Sequence, residues 1–134
     1  MKERIIDTNI ILRYLTDDIE EQAKKCENLF RRVSEGKETI ELPLLVIAEV
    51  VWTMTRYYKQ PRKEVVENLS IMLTTPCIKV RDKKLVLDAL ELYIDKNVSF
   101  TDAYLATACI YAQKGIYSFD EDFDNIGIDR SEPF

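Results

Sequence analysis

The sequence predicts an α/β protein built on a mostly parallel sheet. Short, β-favouring apolar runs alternate with longer amphipathic segments along all 134 residues. The longer segments repeat their apolar positions at helical spacing. Only three glycines and four prolines are present, with no repeat, low-complexity stretch or linker. One domain spanning residues 1–134 is therefore expected.

Each element has a local reason. Arg4 to Ile6 reads as a first short strand, after which Asp7 or Thr8 can cap a helix starting near Asn9. A second helix is expected from Asp18 to Glu35, with Ile19, Ala23, Cys26, Phe30 and Val33 on one face and Gly36 ending it. Thr39 to Leu42 favours a strand before Pro43, and the apolar segment Leu44 to Tyr58 is long enough for a helix. Arg62 to Leu73 follows as a helix with Val65, Val66, Leu69 and Leu73 inward. Pro76 breaks the pattern, and Cys77 to Val80 suits a strand. Lys83 to Lys96 is again helical, with Val86, Ala89, Leu90 and Tyr93 inward. Ser99 opens a helix that runs to Gln113 and ends at Gly115. Ile116 to Phe119 forms a strand, and a weaker one is expected near Ile126 to Ile128. In such sheets ligands gather beyond the carboxyl ends of the strands.

Composition narrows the chemistry. A chain of this length buries roughly 68% of its unfolded surface, enough for a real core. Hydrophobic residues make up 46% and charged residues 32%, an ordinary soluble balance. No apolar run reaches the length of a membrane helix, and Met1-Lys2-Glu3-Arg4 opens without the features of a leader, so a cytoplasmic location is expected. Cys26, Cys77 and Cys109 are widely spaced and odd in number, forming neither a disulfide framework nor a zinc pattern. Histidine is absent, which removes imidazole general bases and Ser-His or Cys-His nucleophile pairs. A metal site in this chain must rest mainly on oxygen ligands, which favours Mg²⁺ or Mn²⁺. The net charge of -5 argues against simple electrostatic binding of nucleic acid; a cluster of metal-binding carboxylates would account for much of it, and an ordinary acidic cytoplasmic protein fits it equally well.

Four acids stand in unusual company. Asp7 directly follows the first strand, where its ordinary role is a helix cap. Glu49 lies in Leu44-Leu45-Val46-Ile47-Ala48-Glu49-Val50-Val51-Trp52, and Leu45, Val46 and Trp52 share its helical side. If that side is buried, the carboxylate needs a partner, either an Arg or Lys or, as favoured here, a metal ion. Asp102 sits three residues after Ser99, as in a capping box, yet Leu105, Ala106 and Cys109 share its face and point it toward the core side. Asp120 follows the strand Ile116 to Phe119, in an acidic tract where Asp122 and Asp124 compete for the same role. Two acids thus lie at strand ends and two at core-facing helical positions. A divalent ion relieves the repulsion of such a cluster.

These residues resemble the PIN-domain nucleases, and within them the VapC-like toxins of type II toxin–antitoxin pairs. Asp7-Thr8-Asn9-Ile10-Ile11-Leu12-Arg13-Tyr14-Leu15 is similar to the family's first motif. Pro43 to Trp52, holding Glu49, resembles the second, and Ser99 to Thr107, holding Asp102, the third. Ser118-Phe119-Asp120-Glu121-Asp122-Phe123 resembles the last. The resemblance implies a three-layer α/β/α arrangement around a four- to five-stranded sheet. It also implies cleavage of RNA phosphodiester bonds dependent on Mg²⁺ or Mn²⁺, with Asp7, Glu49, Asp102 and Asp120 as metal ligands, Asp122 as a further candidate, and Thr8, Asn9 and Ser118 as supporting polar residues. A cognate antitoxin protein and a homodimer are implied as partners.

Arg13, Arg56 and Lys59 lie near two of the motifs and are candidates for RNA contact, against their ordinary role as solvated side chains. Trp52, Tyr57 and Tyr58 hint at exposed apolar surface, although core packing is the simpler expectation for Trp52. Other readings remain: a housekeeping PIN nuclease of RNA processing, a phosphohydrolase acting on a small molecule, and a catalytically silent binding module. Failure to bind Mn²⁺ marks the last of these, and hydrolysis of a generic phosphate ester without RNA cleavage marks the phosphohydrolase.

Overall fold

The protein is described as a computed structural model covering residues 3–134; Met1 and Lys2, part of the stretch read above as lacking a leader, lie outside the described residues. The chain forms two compact units, Met1–Arg81 and Asp82–Phe134. Both are α/β, and every strand ladder is parallel, as the alternation of short and long segments predicts.

The first unit holds strands β1 (Arg4–Ile5), β2 (Ile40–Glu41) and β3 (Ile78–Lys79), in the order β1-β2-β3. Arg4 pairs with Ile40 and Ile40 with Ile78. Helix α1 (Thr8–Thr16) begins where Asp7, in extended conformation, accepts a hydrogen bond from the Ile10 N–H at 3.3 Å. This satisfies one of the four orphan donors of the first turn. Helix α2 (Glu20–Ser34) buries Ala23, Cys26, Phe30 and Val33. Acids in its first turn and arginines in its last complement the helix dipole. Ile19, expected on the buried face, is exposed because it stands at the N-cap, outside the helical turn. Gly36 takes φ +77° just past the end, a conformation that favours glycine.

Helix α3 (Leu44–Arg56) starts after Pro43 and buries Ile47, Val50, Val51 and Met54. Helix α4 (Arg62–Leu73) starts after Pro61 and buries Val65, Val66, Leu69, Met72 and Leu73. Both prolines sit where a missing N–H costs nothing. Helices α1 and α2, α1 and α3, and α3 and α4 pack against one another.

The second unit holds α5 (Lys83–Lys96), α6 (Phe100–Ala112), β4 (Ile116–Tyr117), α7 (Asp122–Ile126) and β5 (Arg130–Ser131). Helices α5 and α6 pack together, with Tyr93 and Phe100 edge to face at 6.2 Å and the Tyr111 hydroxyl bonded to Asp88. Ala106, Phe123 and Ile128 form a buried cluster that seats α7 under α6. Here the structure departs from the expected strand at Ile126 to Ile128. Ile126 ends α7, Gly127 turns the chain at φ +89°, and the strand begins at Arg130. The acids Asp122 and Asp124 favour a helix start there, and Phe123 anchors it. Gly115 permits the close approach of β4 to β5, since an added Cβ would stand 2.7 Å from the Asp129 carbonyl oxygen.

The five strands thus join in ladders of three and of two, each strand only two residues long. Five non-glycine residues among those described hold the left-handed backbone conformation: Asp17, Lys59, Asp82, Asn97 and Gln113. Four of these stand at helix boundaries. No described helix is long and apolar enough to cross a membrane.

Candidate active site

The first unit carries Asp7, Thr8, Asn9 and Glu49. Asp7 stands two residues beyond β1, at the carboxyl end of its strand. Its Oδ1 caps α1 while Oδ2 makes no hydrogen bond among the described residues. Capping and availability to a ligand therefore coexist in one side chain. Thr8 is buried and Asn9 exposed. Asp7 is also felt within the unit. Burial pushes the Cys26 thiol up from its ordinary pKa, Arg13 draws it down, and the Asp7 carboxylate adds to the upward push.

Glu49 requires a correction. The helix does place it on one side with Leu45 and Trp52, but that side is not the buried one. Glu49 is exposed, Leu45 is 82% exposed and Trp52 62% exposed. Helix α3 is apolar on more than one face, and Ile47, Val50, Val51 and Met54 are the residues that enter the core. No buried ion pair is needed for Glu49, and it has none among the described residues. Core packing is likewise wrong for Trp52. Tyr57 is exposed, and Tyr58 is half-buried.

Among the basic candidates, Arg13 is committed elsewhere. Its guanidinium bonds Asp18 at 3.3 Å and Gln22 at 3.1 Å. Arg56 and Lys59 are exposed and make no ion pair among the described residues.

The second unit carries Asp102, Ser118, Asp120 and Asp122. Ser99 caps α6 by accepting from the Asp102 N–H at 3.1 Å. The reciprocal half of the capping box is missing: the Asp102 carboxylate makes no hydrogen bond among the described residues. Asp102 is half-buried, Ala106 on its face is buried and Leu105 is exposed, so the expected core-side placement holds only in part.

Asp120 follows β4 by three residues and is exposed. Its N–H donates to Ser118 Oγ at 3.0 Å, and its Oδ1 accepts from the Asp122 N–H at 2.9 Å. Ser118, two residues before the acid, thus shapes the turn. The Asp122 carboxylate makes no ion pair among the described residues. Asp124 does. Arg130 donates to both its oxygens at 3.0 to 3.2 Å, and Asp124 then Glu132 hold the Arg130 pKa above its usual value. Sequence reasoning did not single out Arg130, because Asp124 and Ser118 lie six and twelve residues upstream of it with no periodic pattern to link them.

Within neither unit do three acidic or cysteine side chains among the described residues gather into a group that could hold a metal ion. The donors nevertheless suit a hard cation. All are carboxylates, and Asp7, Glu49, Asp102 and Asp120 each keep at least one oxygen without a protein partner among the described residues.

The PIN domain family model matches residues 4–129. A VapC ribonuclease of Aquifex aeolicus (strain VF5) is 26% identical over 132 residues, covering 98% of this chain and 97% of that protein. The match runs from β1 to the residue before β5 and takes in Asp7, Glu49, Asp102 and Asp120, and the chain belongs to the PIN domain family.

Proposed function

We propose that this protein is a metal-dependent endoribonuclease that hydrolyses RNA phosphodiester bonds, as the toxin of a toxin–antitoxin pair. The observation that carries this reading is the family match over residues 4–129 with Asp7, Glu49, Asp102 and Asp120 all present in motif order. Likeness to a VapC ribonuclease along nearly the whole of both chains supports RNA as the substrate. The same likeness supports a cognate antitoxin as partner; a homodimer and a cytoplasmic site of action are proposed along with it. The chain works as one nuclease domain over residues 1–134.

Asp7, Glu49, Asp102 and Asp120 would hold the ion, with Asp122 as a further candidate ligand. Mg²⁺ or Mn²⁺, when bound, supplies Lewis acidity and lowers the pKa of water to near neutrality. The chain's own residues do the rest. Asp7 Oδ1 accepts from the Ile10 N–H, which leaves Oδ2 as the oxygen available to a ligand. Ser118 fixes the Asp120 backbone in the same way. Thr8 and Asn9 complete the first turn of α1 beside Asp7. Water adds to phosphorus, one P–O ester bond breaks, and the leaving oxygen takes a proton. No protein nucleophile is required, in keeping with a chain that lacks histidine. Arg56 and Lys59, exposed and unpaired among the described residues, are the basic residues best placed to meet phosphates. Arg13, tied to Asp18 and Gln22, serves the fold first.

Incubation of the protein with a mixed RNA pool, with and without Mn²⁺, tests the reading. Cleavage is expected only with the ion, and end-mapping of the fragments gives its preference. Hydrolysis of a generic phosphate ester with intact RNA would favour a small-molecule phosphohydrolase instead.

A further inference from the structure

We infer that Arg130 is a positioning residue for Asp120, an inference that rests on the reading of Asp120 as a metal ligand. Its side chain is only 13% exposed, and all three guanidinium nitrogens donate hydrogen bonds. Nη1 donates to the Ser118 carbonyl at 3.0 Å and to Glu132 Oε2 at 3.2 Å. Nε and Nη2 grip both oxygens of Asp124. Ser118 lies two residues before Asp120, and Asp124 four residues after it. One planar group therefore ties down both ends of the segment that displays the acid. Inside that segment the Ser118 hydroxyl takes the Asp120 N–H, and Asp120 Oδ1 takes the Asp122 N–H. Asp120 Oδ2 is left with a set direction. The pairing also occupies Asp124, which leaves Asp120, Glu121 and Asp122 as the acids of this tract open to a cation.

Lysine cannot replace this arrangement. It is a point charge without the fork that spans a carboxylate and a carbonyl together. Charge and positioning also predict opposite signs. Loss of a neighbouring positive charge strengthens cation binding, whereas loss of positioning weakens it.

The experiment is Mn²⁺ titration of the whole protein, followed by the electron paramagnetic resonance of the free ion, for Arg130→Gln, Arg130→Lys, Asp124→Asn and Asp120→Asn. Amide exchange at Asp120 and Asp122 is read in metal-free protein. Both Arg130 variants are expected to weaken Mn²⁺ binding by about 10- to 100-fold. They are also expected to speed exchange at those two amides. Wild-type or tighter Mn²⁺ binding in folded Arg130 variants overturns the inference. If Arg130→Gln does not fold, Asp124→Asn decides, since it keeps the side-chain shape while breaking the paired bond. Unchanged binding and exchange there also overturn it. Should Asp120→Asn bind Mn²⁺ as wild type does, the ligand reading of Asp120 falls and takes the positioning role with it. The positioning role falls alone when Asp120→Asn loses affinity and the Arg130 variants do not.

Discussion

Tyr58 donates its phenol O–H to Asp18 Oδ2 at 2.8 Å, joining two residues 40 positions apart. The Thr16 hydroxyl and Arg13 bond the other oxygen, so one carboxylate ties the end of α1 and the approach to α2 to the chain beyond α3. These hydrogen bonds, Tyr58 first and Thr16 next, hold the Asp18 pKa below its ordinary value. A carboxylate with a lowered folded pKa adds stability above its unfolded pKa and loses it as pH falls through the folded one. Tyr58→Phe is therefore expected to lower the thermal midpoint at neutral pH. The gap from wild type should close on acidification below about pH 4. A gap that stays constant down to pH 2 would count against the Asp18 bond as its source.

Asp7→Asn separates capping from chemistry. Asn caps a helix about as well as Asp, so unfolding free energy should change by less than about 0.5 kcal/mol. RNA cleavage, in contrast, is expected to disappear. Asp7→Ala should lose both, with about 1 kcal/mol of stability gone along with the cap. Denaturant titration beside a cleavage assay reads the two effects, and retained cleavage in Asp7→Asn would remove Asp7 from the site.

Helix α3 offers a contrast between its faces. Ile47 is fully buried, so Ile47→Ala should cost about 2–5 kcal/mol. Trp52 is largely exposed, so Trp52→Ser should stay within about 0.5 kcal/mol despite the larger side chain removed. Equal losses in the two variants would show that Trp52 is packed after all.

Gly115→Ala tests the seam that presents Asp120. Its new methyl would meet the Asp129 carbonyl oxygen at 2.7 Å, where β4 and β5 run side by side. Such overpacking costs about 1–3 kcal/mol. Amide exchange should rise at Ser118, whose N–H bonds the Ser131 carbonyl oxygen across the same seam at 3.0 Å.

How far the sequence foretells these arrangements depends on how local their causes are. Helices α4 and α5 fall where periodicity places them, because the apolar stripe of each is written within its own dozen or so residues. The cap roles of Asp7 and Ser99 are legible for the same reason. The surroundings of Glu49 are not. A helix apolar on several sides does not declare which side packs, and that choice belongs to α1 and α4. Helix α7 is too short for a periodic signal, and its start depends on the Asp120 side chain. The acids of that tract are sorted by Arg130, whose reach back to Ser118 and Asp124 exists only once β4 and β5 have paired.

The left-handed helix endings carry a practical consequence. Gln113, the residue that ends α6, holds a backbone shape that costs an L-residue roughly 1–2 kcal/mol and costs glycine little. It belongs neither to an acid motif nor to the Arg130 network. Gln113→Gly is therefore where an engineer would harden this molecule first, gaining heat tolerance at one helix end without touching a carboxylate.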